Sequence, residues 1–263
     1  MRELAVHEAR RRLRGSLVAS GGIVALVALY VWIFPSVQSA SVDLDEYVQA
    51  FPPALRELFG IRELGTIEGY LAAELYGFVW VMLLGLYLAA AAGSVVAADV
   101  EDGRMDLLLA LPLTRARVLW GKSTALLVPV LVVNAVTPVA ILAGVALLGE
   151  SLSVADLLAV HALSVPYLAC CGAIGLVFSV AVDRAAVAQR AAAGLVFGLF
   201  LVESVVIGTD LEPLAALAPS HYYEPSAVLV DGTYDLAGAG VLLAATAALV
   251  AVATLLFRRT DVT

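Results

Sequence analysis

The chain has 263 residues, of which 62% are hydrophobic and only 14% charged, with a formal net charge of −8. A soluble domain carries roughly 25% charged residues, so long stretches must sit in lipid, and no separate soluble domain of ~100 residues fits beside them. The acidity excludes nucleic-acid binding, which needs a basic surface, and together with the Ala, Val and Arg bias it suggests a GC-rich organism of high-salt habitat, a halophilic archaeon.

The N-terminal stretch from Arg2 to Arg14 reads as a short amphipathic helix, or as a plain positive anchor. Leu4, Ala9 and Leu13 can face lipid while the arginines meet headgroups. Six apolar runs follow, at 16–34, 71–98, 123–148, 157–182, 191–208 and 236–257. Each is long enough to cross a bilayer. The first is longer than the roughly 7–15 apolar residues of a signal-peptide core and reads as a retained span.

Placing the N-terminus in the cytoplasm puts every Lys and Arg except Arg56 and Arg62 on the inner side. That is the asymmetry expected of cytoplasmic loops. The fold class is therefore all-α: a polytopic membrane protein of six transmembrane helices, both termini cytoplasmic, with residues 1–263 forming one transmembrane domain in the plasma membrane.

In the first outer loop, 35–70, Asp43 can cap a helix in which Leu44, Tyr47, Val48 and Phe51 share a face. Pro52 and Pro53 would stop it, and Pro53 can open a second turn carrying Leu55, Leu58 and Phe59. Such a loop reads as a lid on the bundle.

The inner loop from Asp99 to Lys122 is richer. Asp99, Glu101 and Asp102 suit a helix N-terminus. Met105, Leu107, Leu108, Leu109 and Leu111 form an apolar cluster too short to span. Pro112 ends that helix, and Thr114 can cap another carrying Arg115 and Arg117 into the third span. The short helix can lie along the inner membrane surface or dock into a cleft on a soluble partner. Lys122, the only lysine, reads as a snorkelling anchor.

Cys170 and Cys171 are neighbours inside an apolar run and read as small buried residues. Ionisable groups within spans are functional suspects. Glu74 and Glu203 near outer ends are candidate pathway residues. His161 lies one or two turns inside its span, and Asn134 can make an interhelical hydrogen bond. Gly194 with Gly198 in the fifth span, and Gly238, Gly240, Ala244 and Ala248 in the sixth, offer small faces for close packing within one bundle or between two copies. In the outer loop 209–235, prolines 213, 219 and 225 predict short broken helices, and His221 beside Glu224 is only a weak metal pair.

No catalytic set emerges. Ala116, four residues, then Gly121, Lys122 and Ser123 match a loose phosphate-loop pattern, but bulky Val118, Leu119 and Trp120 would cover the backbone N–H groups such a loop needs. A serine protease would need a serine matched to His161, and no Gly-x-Ser-x-Gly context exists.

The inner segment EDGRMDLLLALPLTRARVLWGK, from Glu101 to Lys122, resembles the loop between the second and third spans of type 2, export-type ABC-transporter permeases. The usual form is an acidic residue, Gly, a Leu-rich turn, Leu-Pro, Thr with Arg, then Gly-Lys. The basic N-terminal stretch, the ending Phe257-Arg258-Arg259-Thr260-Asp261, Pro219, and the stretches ALRELFGI and EGYLAAELY agree. Arg104 and Asp106 depart mildly, standing where Thr and Glu are common. The resemblance implies that the loop is a coupling helix, with Glu101, Gly103, Leu108, Pro112 and Arg115 matching its segment. It also implies a permease subunit that binds no cofactor itself. ATP and Mg would sit on a separate cytoplasmic ABC ATPase, present in two copies, beside a second permease subunit, identical or different. The competing expectation is a membrane scaffold or assembly factor without a transport path. The substrate is not named by any residue, and a cluster of Met, Cys and His that would favour metal transfer is missing.

Overall fold

The structure, a computed structural model, describes residues 2–49, 65–105 and 114–259. It is helical throughout these segments. Six helices among the described residues are long and apolar enough to cross a membrane: Leu13–Ser39, Ile67–Glu101, Arg115–Leu148, Val154–Ala181, Ala185–Val206 and Leu236–Arg258. The chain is an all-α polytopic membrane protein with six spans.

The first span belongs to one continuous helix, α1 (Arg2–Gln49), of 48 residues. At 1.5 Å per residue it is about 72 Å long, more than twice a ~30 Å hydrocarbon core. The expected separate helix beginning at Asp43 is corrected here, because Asp43 lies inside α1. Pro35 is also inside α1. It forfeits one backbone hydrogen bond, whereas ending the helix there would strand four carbonyls beside lipid. Pro52 and Pro53, with Leu55, Leu58 and Phe59, lie outside the described residues.

The fourth span is the axis of the bundle. Its most apolar stretch is 72% buried, against 17% for the fifth and sixth spans, which line the outside. Close crossings are made at glycines. A Cβ added to Gly175 of the fourth span would stand 2.1 Å from the carbonyl oxygen of Ala89 in the second. One added to Gly144 of the third would meet Val31 Cγ2 of the first at 2.6 Å. Backbones approach this closely only where side chains vanish. At Gly194 and Gly198 an added Cβ would meet nothing within 4 Å, so the close packing open to this face is not made among the described residues.

The second span is irregular. It starts at a Thr66-capped turn (Ile67–Tyr70), widens into a π-helical stretch (Leu71–Leu84) and returns to α-helix over Gly85–Gly93. After a turn at 94–96 it resumes as Ala97–Glu101. Tyr167 Oη of the fourth span donates to the carbonyl of Val81 within the wide stretch (2.6 Å). The third span is likewise two helices, Arg115–Ala125 and Leu127–Leu148, meeting at Leu126. On the outer side, three short helices, Glu212–Leu217, Pro219–Tyr222 and Pro225–Leu229, each carry proline in the first turn, where its missing N–H costs nothing.

Candidate functional site

The second, third, fifth and sixth spans converge at one end of the bundle on the segment that the sequence singles out. The turn at 94–96 starts it. Ser179 Oγ of the fourth span accepts the N–H of Val96 at 2.7 Å and that of Ala97 at 3.2 Å, satisfying the first donors of the resumed helix.

One turn on, Asp99 is 7% exposed and pairs with the ammonium of Lys122, itself 5% exposed. Arg104 Nε donates to the other oxygen of Asp99 at 3.0 Å, and Arg104 Nη2 reaches Asp102 at 2.7 Å. A buried carboxylate is tolerable only when paired and hydrogen-bonded in this way. Lys122 therefore is not a snorkelling anchor. Its side chain turns inward to Asp99 because the break in the second span brings that carboxylate beside the third.

Glu101 accepts the backbone N–H of Ala185 at 2.9 Å. Ala185 is the first residue of the fifth-span helix, so the carboxylate caps an otherwise unmet donor and sits at the positive end of the helix dipole. Gly103 follows with φ +67°, the left-handed region, which allows the chain to turn. Met105 is wholly buried, in an apolar cluster with Val118, Leu119 and Phe257. Leu108 and Pro112 lie outside the described residues. On the far side, Thr114 Oγ1 accepts the N–H of Arg117 at 3.4 Å and caps the third-span helix, as its residue type predicts. Arg115 donates to the carbonyl of Phe257 at 3.2 Å, with its guanidinium 5.9 Å from that ring's centre.

Glu101 and Arg115 are thus each built into a junction between spans, while Gly103 makes the turn between them, and Glu101 and Gly103 remain exposed beside Asp102 and Arg104. Glu101 bonds to the start of the fifth span, Asp99 to Lys122 of the third, and Arg115 to Phe257 of the sixth.

The candidate pathway residues are not brought together. Glu203 accepts a hydrogen bond from Ser220 Oγ and lies 3.7 Å from His221 Nδ1, which ties the fifth span to the outer loop. Glu74 is exposed on the second span. His221 turns to Glu203. Cys170 and Cys171 are free thiols, both buried.

A polar network lies deeper. His161 Nδ1 meets Asn134 Oδ1 at 2.7 Å, and its Nε2 meets Tyr76 Oη at 2.9 Å. Asn134 Nδ2 donates to the carbonyl of Val130, so its Oδ1 is an acceptor and His161 must carry its proton on Nδ1. Ser164 Oγ is also within reach of Asn134 Oδ1, at 2.9 Å. The second, third and fourth spans are joined here through neutral groups, and Asn134 makes the interhelical bond its position suggests. His161 has no arrangement about it that would activate a nucleophile. Sequence reasoning missed the Asp99–Lys122 pair and the Ser179 clasp. The one available signal was an acidic and a basic residue at inner ends of successive spans.

Residues 4–262 match the family model described as ABC-2 family transporter protein. None of the curated proteins compared with the chain matches it.

Proposed function

The chain belongs to the ABC-2 family of transporter proteins, and from that premise we propose that it is the permease subunit of an ATP-driven exporter in the plasma membrane. Members of this family work with a cytoplasmic ABC ATPase. In this reading two copies of that ATPase hold ATP and Mg, and this chain, with a second identical or different permease subunit, supplies the path. Both termini face the cytoplasm, and the segment from Glu101 to Arg115 is the coupling helix.

The single observation that carries the proposal is the inner junction. The short stretch from Asp99 to Arg115 is bonded through Glu101 to Ala185 at the start of the fifth span, through Asp99 to Lys122 of the third and through Arg115 to Phe257 at the end of the sixth. Closure of the ATPases on ATP presses on the segment, and these bonds hand the displacement to three spans together. Alternation of access then needs no moving charge in the lipid. Substrate is released outward when the ATPases close and the inner side reopens after hydrolysis.

The test is purification of the tagged chain from its native membrane in mild detergent. A soluble ABC ATPase should accompany it in stoichiometric amount. Glu101→Gln with Arg115→Gln should lose the ATPase while the permease stays folded. Recovery of the chain alone, under conditions in which a known ABC transporter keeps its ATPase, would replace this reading with that of a scaffold or assembly factor.

A further inference from the structure

An apolar groove of about 150 Å³ opens between the third and sixth spans. Trp120, Ser123 and Leu127 form one wall and Val250 the other, with Leu88 and Gly172 below. Its cause is the interruption of the third span at Leu126. Pro129 offers no N–H to the carbonyl of Ala125 four residues earlier. Ser123 Oγ donates back to the carbonyl of Leu119 at 2.7 Å and Thr124 Oγ1 to that of Trp120 at 2.9 Å, bonds that bend helices. Both hydroxyls are spent in this way, so the wall presents carbon. Gly172 is buried, yet an added Cβ there would meet no atom within 4 Å, so the floor is low because that side chain is absent.

Exposed arginines lie beyond the Trp120 end of the groove, on both helices that wall it. Arg117 is exposed and lies one turn before Trp120 on the same helix face. Arg258 is exposed at the inner end of the sixth span. The Arg115–Phe257 hydrogen bond holds these two helix ends side by side. An apolar slot at membrane depth under two guanidinium groups complements one molecule: an amphiphile with a phosphate head and an acyl tail. We infer that this groove binds an anionic phospholipid of the inner leaflet, its phosphate on Arg117 and Arg258 and one acyl chain against Trp120 and Gly172. The choice of leaflet rests on the orientation proposed above; the site itself does not. Bound there, the lipid props the bend at Leu126, one helix away from the coupling segment.

Trp120 is itself the probe, being 49% exposed. Trp32→Phe removes the other exposed indole, and Trp80 is fully buried. The full-length Trp32→Phe chain is placed in phosphatidylcholine bilayers containing a small, equal fraction of dibrominated phosphatidylglycerol or dibrominated phosphatidylcholine, and the part of the emission lost on Trp120→Phe is followed. Brominated phosphatidylglycerol should be enriched at Trp120 about fivefold over brominated phosphatidylcholine, the size expected of a basic group near an anionic lipid. Arg117→Gln with Arg258→Gln should bring the two lipids to parity. Ala169→Leu or Gly172→Leu should lower quenching by both, and Ala169→Leu carries this arm where the glycine variant does not fold. Equal quenching by both lipids in the unmodified groove overturns the proposal in favour of ordinary solvation. Absence of quenching by either overturns it in favour of coverage by protein, such as a second copy. Neither outcome touches the ATPase co-purification.

Discussion

The Glu101 carboxylate and the Ala185 N–H, 84 residues apart in sequence, meet at 2.9 Å across the inner ends of the second and fifth spans. Glu101 thus has a structural duty, capping a helix, besides any contact with a partner. The two duties separate by substitution. Glu101→Gln keeps an oxygen acceptor and removes the charge. Glu101→Ala removes both and should lower stability by about 1 kcal/mol, the usual worth of a lost cap. Thermal midpoints in detergent should therefore fall for Ala but hardly for Gln. Equal midpoints for the two variants would deny the cap.

Gly175 tests the central crossing. A methyl group there would collide with the Ala89 carbonyl at 2.1 Å, so Gly175→Ala must part the second and fourth spans. Overpacking of a tight contact costs about 1–3 kcal/mol. Gly194→Ala, where a Cβ meets nothing within 4 Å among the described residues, is the matched control and should leave the midpoint of the isolated subunit unchanged. Differential scanning fluorimetry on both variants decides it.

The Asp99–Lys122 pair should show the asymmetry of buried ions. Lys122→Met leaves a carboxylate that is 7% exposed with Arg104 alone, and breaking such a pair costs about 3–5 kcal/mol. Asp99→Leu with Lys122→Met removes both charges and should recover most of that loss, since Arg104 keeps Asp102. A double variant no more stable than the single one, by thermal midpoint and membrane yield, would show that the pair is not the source of the effect.

On the outer surface, Tyr234 Oη donates to the Asp156 carboxylate. That hydrogen bond, aided by the neighbouring negative charge, holds the Tyr234 phenol above its ordinary value of 10.0. A group whose folded pKa is raised adds stability that is complete below its unfolded pKa and disappears as pH rises through the folded one. Wild type should thus exceed Tyr234→Phe in thermal midpoint at neutral pH. The gap should shrink as pH rises past the ordinary phenol value and close once the phenol ionises in the folded state as well. A gap that is constant through this range would mean that Tyr234 contributes by packing alone.

The six-span architecture was legible because apolar length and the position of arginines are properties of single segments. Thr114 as a cap and Asn134 as an interhelical hydrogen-bonding residue were readable for the same reason. What could not be read depends on where helices deviate from ideal. Nothing local to Ala91–Ala97 states that the second span turns there, since the clasp that allows it, Ser179, lies 83 residues on. Without that turn Asp99 would not point at Lys122, and the lysine looks like an ordinary interfacial anchor. The helix runs on through Pro35, where the first outer loop was expected to begin, because proline's local cost is smaller than that of open carbonyls beside lipid. Of the candidate coupling residues, Arg115 announced its helix start, but its seat on Phe257 joins residues 142 apart.

The two N–H groups gathered on Ser179 have a mechanical meaning. Because the helix is already broken at 94–96, the Ala97–Glu101 segment has its own beginning, latched to the fourth span by one oxygen atom. Swinging it out exchanges these two hydrogen bonds together with the Asp99–Lys122 pair and the Glu101 cap on Ala185, where an unbroken helix would also have to unwind. The second span therefore ends in a hinge whose catches are polar bonds to the third, fourth and fifth spans.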